Sequence, residues 1–158
     1  MDKSRELIRS IRKIIRSIDL HSNQLVQRYG LTGPQLVICS SIIEHKKLTV
    51  TRLSSNVDLS KATVVSILDR LEGKSLIVRC RDTKDKRQVF IQPTEKLSLM
   101  FKDNPPQLLQ DFFIERFDNI SGWEQSNILS AFEWVAEMMK ADQLDASPLL
   151  HTSAKIQA

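Results

Sequence analysis

TVTRLSSNVDLSKATVVSILDRLEGKSLIVRCRDTKDKRQVFIQPT, residues 49–94, changes its apolar period partway through, and that change sets the fold. From Thr51 to Val57 the apolar positions Leu53 and Val57 fall four residues apart, as on one side of a short helix. Asp58-Leu59 reads as a turn and Ser60 as an N-cap. A second helix is expected from Lys61 to about Gly73, with Val64 or Val65, Leu68 and Leu71 turned inward. Two short helices joined by a tight turn make a helix-turn-helix. The pattern then shortens. Residues 76–81 are short and β-branched, residues 82–87 form a charged turn, and residues 88–92 alternate polar and apolar side chains. That sequence of signals predicts a β-hairpin, and a hairpin placed directly after a helix-turn-helix is a wing.

Outward from this segment the chain reads as helical. Upstream, Leu7, Ile11, Ile14, Ile18 and Leu25 recur at helical spacing, with Ile8 and Ile15 widening the stripe, from about Ser4 to Tyr29, where Gly30 stops the helix. A second upstream helix starts at Thr32-Gly33-Pro34, with proline in a tolerated first-turn position, and runs to about His45. Downstream of Pro93, one helix is expected to reach about Phe117 with a kink near Pro105-Pro106, and a last one to cover about Gly122 to Met139. The first and last helices carry more apolar surface than one small domain can bury, so a partner chain is expected. The expected fold class is mainly α with a small β-hairpin wing, a winged helix-turn-helix plus terminal dimerisation helices. The expected divisions are 4–30 and 98–140 for dimerisation, 31–97 for the winged helix, and 142–158 as a flexible tail.

The 158 residues carry a formal charge of +4, unevenly spread. Residues 1–43 hold 7 basic and 3 acidic side chains, residues 44–92 hold 11 and 6, and residues 93–158 hold 5 and 10. A basic front and an acidic rear suit a surface that meets a polyanion. No apolar run approaches the roughly 20 residues of a membrane span, and the N-terminus lacks an apolar secretory core, so a cytoplasmic protein is expected. Cys39 and Cys80 are far apart and are expected to be free thiols. No P-loop, Gly-rich dinucleotide turn or zinc-protease motif is present, and His21, His45 and His151 are scattered. No enzyme activity, cofactor or metal is therefore expected.

The second helix of a helix-turn-helix lies in the major groove with its N-terminal residues nearest the base edges. Here these are Ser60, Lys61, Thr63 and Val64. Hydroxyls bond bases or phosphates, lysine reaches guanine and valine touches a thymine methyl. Ser60 also suits a simple cap, and Val64 also suits the core. Ser66 and Arg70, further along, are placed for phosphate. Arg81, Lys84, Lys86 and Arg87 give the wing a basic tip for phosphates or the minor groove. Asp85 is expected to pair with a nearby arginine and fix the loop's shape.

With these residues in place, residues 48–96 resemble the MarR family of transcriptional regulators. Leu59, Ser60, Thr63, Val64, Leu68, Asp69 and Leu71 match the family's recognition-helix pattern, and Asp85 and Arg87 match its wing. The resemblance extends over about residues 4–140. It implies a homodimer bound to a pseudo-palindromic operator in double-stranded DNA, with Arg87 reaching the minor groove. A repressor that competes with polymerase or an activator for promoter DNA is the expected role. Two positions depart from the family: Pro93-Thr94-Glu95-Lys96-Leu97 lacks the usual leucine and glycine after the wing, and Ser75 stands where glycine is usual before it. Residues 11–36 resemble the EctR/CosR branch, which regulates compatible-solute (ectoine) genes and would tie the chain to osmotic stress.

Other readings stay open on the sequence. Arg9, Arg12, Lys13 and Arg16 form a basic stripe that suits a solvated face, an anion-binding cleft or an extra field for DNA. Arg16 and His21 are candidates for the pocket of a small-molecule effector. Cys80, between Arg79 and Arg81, is the better candidate for oxidant sensing, and Cys39 reads as core. A winged interaction module without DNA binding is the remaining alternative, and the basic wing argues against it.

Overall fold

The computed structural model describes residues 2–144 and 150. It is mainly helical with one two-stranded antiparallel hairpin, in the order α1 (Lys3–Tyr29), α2 (Gly33–His45), α3 (Val50–Val57), α4 (Lys61–Gly73), β1 (Ile77–Arg81), β2 (Val89–Pro93), α5 (Glu95–Asp103), α6 (Leu109–Asp118) and α7 (Gly122–Met138). The described residues form two units, 2–106 and 107–144 with 150. The segment 98–140, expected for dimerisation, is divided between them. Most of the expected tail, 142–158, lies outside the described residues.

Local signals set the helix ends. The Asp2 carboxylate accepts the Ser4 N–H at 3.2 Å to open α1. Gly30 closes it at φ +65°, a conformation that costs glycine little. Pro34 lies in the first turn of α2, and Gln35 Oε1 accepts the Thr32 N–H at 3.0 Å. Thr49 caps α3 through the Arg52 N–H at 3.3 Å. Between α3 and α4 the chain reverses at Asp58, φ +51°, a left-handed position that aspartate tolerates better than most residues. The Leu59 N–H donates to the Ser54 carbonyl, and the Ser54 hydroxyl donates to the Leu59 carbonyl, so the turn is closed by the helix that precedes it.

The core of the first unit joins Leu36, Ile38 and Ile42 of α2, Leu53 and Val57 of α3, Val64, Ile67, Leu68 and Leu71 of α4, Ile77 and Ile91 of the hairpin, and Leu97 and Phe101 of α5. Burying each such side chain is worth about 1.5–3 kcal/mol, so this cluster holds the hairpin against the helices. In the hairpin Ile77 faces Pro93, Arg79 faces Ile91 and Arg81 faces Val89. Leu48 adds a single bridge to Ile91, with backbone N–H···O distances of 3.1 and 2.7 Å.

The region after the hairpin corrects one expectation. Residues 95–117 do not form a single kinked helix. α5 ends at Asp103 and α6 starts at Leu109. Pro105 and Pro106 both lack the N–H that a helix needs, and proline disfavours helical torsions in the residue before it. Asn104 accordingly adopts φ −157°, ψ 77°. The departures around Ser75 and Thr94 are absorbed locally. Ser75 takes φ +57°, the conformation a glycine would adopt without strain. The Thr94 hydroxyl lies 2.9 Å from the Ser75 carbonyl and accepts the Leu97 N–H at 3.3 Å, so threonine caps α5.

α1 buries only Ser22 and Leu25, leaving Leu7, Ile8, Ile14, Ile15 and Leu20 exposed. In the second unit, α6 and α7 bury no residue. Phe112, Phe113, Ile114, Trp123, Leu129, Phe132 and Trp134 all face outward.

Candidate nucleic-acid interface

Ser60 opens α4 as its cap. Its Oγ accepts the Thr63 N–H at 3.1 Å and lies 2.8 Å from Thr63 Oγ1. Both hydroxyls stay exposed at the helix N-terminus, where free N–H groups and the helix dipole favour an anion. Lys61 sits in the same turn, a cation at the end where the dipole disfavours one. A phosphate nearby would relieve both.

Helical residues advance about 100° each, so the buried Val64, Ile67, Leu68 and Leu71 define one side of α4. The opposite side is centred on Ala62, Ser66 and Asp69. Lys61 and Val65 lie along one edge of it, Thr63 and Arg70 along the other, and all seven are exposed. Val64 is corrected here. It has no accessible surface and packs into the core, so it cannot touch a base. The exposed valine is Val65, 40% accessible. One residue's shift on a helix is a 100° rotation, and the sequence alone left the two open. Ile67 belongs to the core as well, which the sequence reading did not include.

The wing carries Arg81, Lys84, Lys86 and Arg87, all exposed. None of the four forms an ion pair among the described residues. Asp85 does not pair with an arginine side chain as expected. Its carboxylate accepts the backbone N–H of Arg87 at 3.0 Å and faces Gln88 Nε2 at 3.4 Å. The Gln88 N–H also donates to the Asp85 carbonyl at 2.9 Å. Aspartate folding back on its own turn leaves the arginine side chain unspent.

The ion pairs lie at the wing's base instead. Arg79 of β1 donates to Asp69 at 2.7 Å and Glu72 at 2.6 Å, both on α4. Burial works against the guanidinium's charge, but the two carboxylates outweigh it and hold Arg79 above the ordinary arginine pKa. The clamp fixes the hairpin relative to α4 and neutralises two carboxylates beside the basic face. Neither Arg79 nor this use of Asp69 was read from the sequence, because the pairing exists only once hairpin and helix pack.

Arg16 and His21 are not gathered into one enclosed site within the first unit. Arg16 is 69% exposed and pairs with Asp19 at 3.7 Å. His21, five residues on, faces a different side of α1 and is half-buried. Arg9, Arg12, Lys13 and Arg16 share an open helix surface. Cys39 is buried, which pushes its thiol up to about 12, and Cys80 is exposed with Sγ 3.5 Å from Gln92 Oε1. No group of three or more His, Cys, Asp or Glu among the described residues could hold a metal, and no helix is long and apolar enough to cross a membrane.

Residues 31–89 match the model of the MarR family. The chain is 27% identical over 94 residues to the HTH-type transcriptional repressor MdtR of Bacillus subtilis, covering 60% of this chain and 61% of MdtR. It is 33% identical over 76 residues to the HTH-type transcriptional regulator MgrA of Staphylococcus aureus, covering 48% of this chain and 52% of MgrA. The matches thus span between half and two thirds of those relatives' lengths. Among solved structures, a mutant MarR from E. coli complexed with operator DNA superposes with a TM-score of 0.55 at 22% identity, over 82% of this chain and 93% of that one. That likeness is one of fold. These relatives are named as regulators, not enzymes. α2, α3, α4 and the hairpin thus form a winged helix-turn-helix whose residues 31–89 are similar to the MarR family.

Proposed function

We propose that this chain is a sequence-specific DNA-binding transcriptional regulator that works as a homodimer on a pseudo-palindromic operator. The observation that carries the reading is the pairing of an exposed α4 face with a wing whose four cations are free of ion pairs, next to a clamp that neutralises the adjacent carboxylates. Ser60, Lys61, Thr63 and Val65 would meet base edges or the nearest phosphates, Ser66 and Arg70 the backbone. Arg81, Lys84, Lys86 and Arg87 would grip phosphates or the minor groove, with Asp85 shaping the loop. The exposed apolar faces of α1 and of α6–α7 would be covered by a second copy, which sets the separation of the two reading heads. MdtR's name as a repressor supports repression as the sign of control.

A gel shift on the chain's own promoter region at low salt tests this reading. A specific complex that weakens steeply with salt is expected, because phosphate contacts release counterions. Binding that is absent, or equal on unrelated DNA, overturns it and leaves the winged interaction module. The narrower proposal, cytoplasmic control of compatible-solute genes, rests on residues 11–36. Genome-wide mapping of bound DNA at two osmolarities tests it, and sites with no relation to osmolyte genes would remove it. A small-molecule effector that released DNA near Arg16 and His21 would bind on a face where Arg16 is open to solvent.

A further inference from the structure

We propose that Lys47 is a positioning residue for the wing, its ammonium tying the end of α2 to both ends of the wing loop. Lys47 Nζ lies 3.9 Å from the centre of the Phe90 ring and 4.0 Å from Asp82 Oδ1. Asp82 precedes the loop and Phe90 follows it, so one cation spans the loop's base. Asp82 is further tied across that base by its N–H donating to the Gln88 carbonyl at 3.0 Å. The backbone brings Lys47 there. Lys46 closes α2 in a left-handed conformation (φ +60°), and Leu48, next along, is bridged to Ile91.

The register gives this contact its meaning. Phe90 faces Cys80, and Arg79 faces Ile91, so Phe90 and Arg79 project from opposite faces of the hairpin. Arg79 anchors one face to α4, and Lys47 anchors the other to the end of α2. Beyond the Leu48–Ile91 bridge, the outer part of a ribbon held on one face only is free to rock about that contact. Two anchors leave Lys84, Lys86 and Arg87 presented at a fixed height above α4. The proposal rests on the DNA-binding reading for its consequence, but its mechanical part does not.

The test separates position from charge. Phe90→Leu keeps Lys47 charged and the site apolar but removes the ring. Binding is measured to a 30-bp duplex that the wild-type protein has selected from a random pool. Phe90→Leu is expected to weaken it about three- to fivefold, the scale of an exposed cation–π contact, with an unchanged salt slope. Lys47→Arg, which keeps a cation over the ring, should restore near-wild-type affinity where Lys47→Met does not. In the free protein, the Asp82 amide should exchange faster in Phe90→Leu while the Leu53 and Leu68 amides do not change. Wild-type affinity and wild-type exchange in Phe90→Leu overturn the proposal. So does a salt slope reduced by about 1 in Lys47→Met with Phe90→Leu unaffected, which would make Lys47 a plain phosphate contact. If the wild type selects no duplex, the DNA reading fails, and the Asp82 exchange alone decides the latch.

Discussion

The helix-turn-helix with its wing and the terminal helices spend their side chains in opposite ways. In residues 49–94 the apolar side chains are mostly inside, each helix start is capped, and what remains outside is mainly charged or polar, with Val65, Val78 and Val89 partly exposed. In α1, α6 and α7 the relation inverts: isoleucine, phenylalanine and tryptophan face outward. The first region is complete as a fold and incomplete in charge, since its wing cations lack partners. The other is satisfied in charge at its caps, as where Ser121 and Glu124 hold each other, yet incomplete in apolar burial. One region asks for a polyanion and the other for a hydrophobic surface. That division of labour suits the proposed roles, DNA contact for one region and assembly with a second copy for the other.

The largest effect should come from attacking the apolar side. Phe132→Glu places a charge on a face proposed to meet a second copy. It should shift the protein from dimer to monomer at micromolar concentration in sedimentation velocity, at a cost of several kcal/mol, on the order of a lost aromatic plus a desolvated charge. Specific DNA binding should fall with it, while the helical circular dichroism of the first unit survives. An unchanged dimer would break the comparison, since the exposed faces would then have no role in assembly.

Attacking the charged side should cost less and cost it elsewhere. Arg87→Ala should weaken specific binding by about 1–3 kcal/mol and lower the salt slope by about 1, with no change in melting temperature. Unchanged affinity would take Arg87 out of the interface. Arg79→Met is intermediate in kind. It breaks a partly solvated pair, so stability should fall by only about 1 kcal/mol, but Asp69 and Glu72 are left unneutralised beside the proposed DNA face. Affinity should therefore drop more than stability, measured as gel shift against thermal melt. Equal losses would reduce the clamp to a plain structural contact.

How much of this could be read in advance follows from how local each signal is. Ser60, Gly30 and Thr32-Gly33-Pro34 mark helix ends through their own backbone chemistry, and the observed ends agree within a residue or so. The hairpin was legible for the same reason. The break at Pro105-Pro106 was underread: one proline kinks a helix, but two in a row remove adjacent donors and end it. Val64 against Val65 is decided by helical spacing: Val64 lies four and seven residues before Leu68 and Leu71, at the middle of the apolar face, and Val65 is turned about 100° off it. Asp85 was paired with the wrong group, since backbone N–H groups compete for a carboxylate and leave no mark in the sequence. Arg79 and Lys47 act across elements, and only packing reveals them.

Ser75→Gly sharpens the point that a local departure carries a local cost. Ser75 holds φ +57°, and glycine there should stabilise the fold by about 1 kcal/mol, raising the melting temperature by about 2–4 °C, with DNA affinity unchanged. No gain would mean the Thr94 contact already offsets the strain. The smallest effect concerns the thiols. A thiol reagent on the native protein should modify Cys80 and spare Cys39 until the chain unfolds. The Cys39 thiol is raised from 9.0 to about 12 by burial, so the folded state keeps a proton that the unfolded chain loses. Its contribution to stability is fully present below pH 9 and declines as pH rises from 9 toward 12. Cys39→Ala should flatten that decline, and an unchanged slope would assign it to other groups.

The most direct test of the central claim is stoichiometry on selected DNA. Sedimentation of the protein with a duplex it has selected from a random pool should give two chains per duplex, and footprinting should show two protected half-sites about one helical turn, roughly 34 Å, apart. One chain per duplex, or protection with no repeated half-site, would contradict the account.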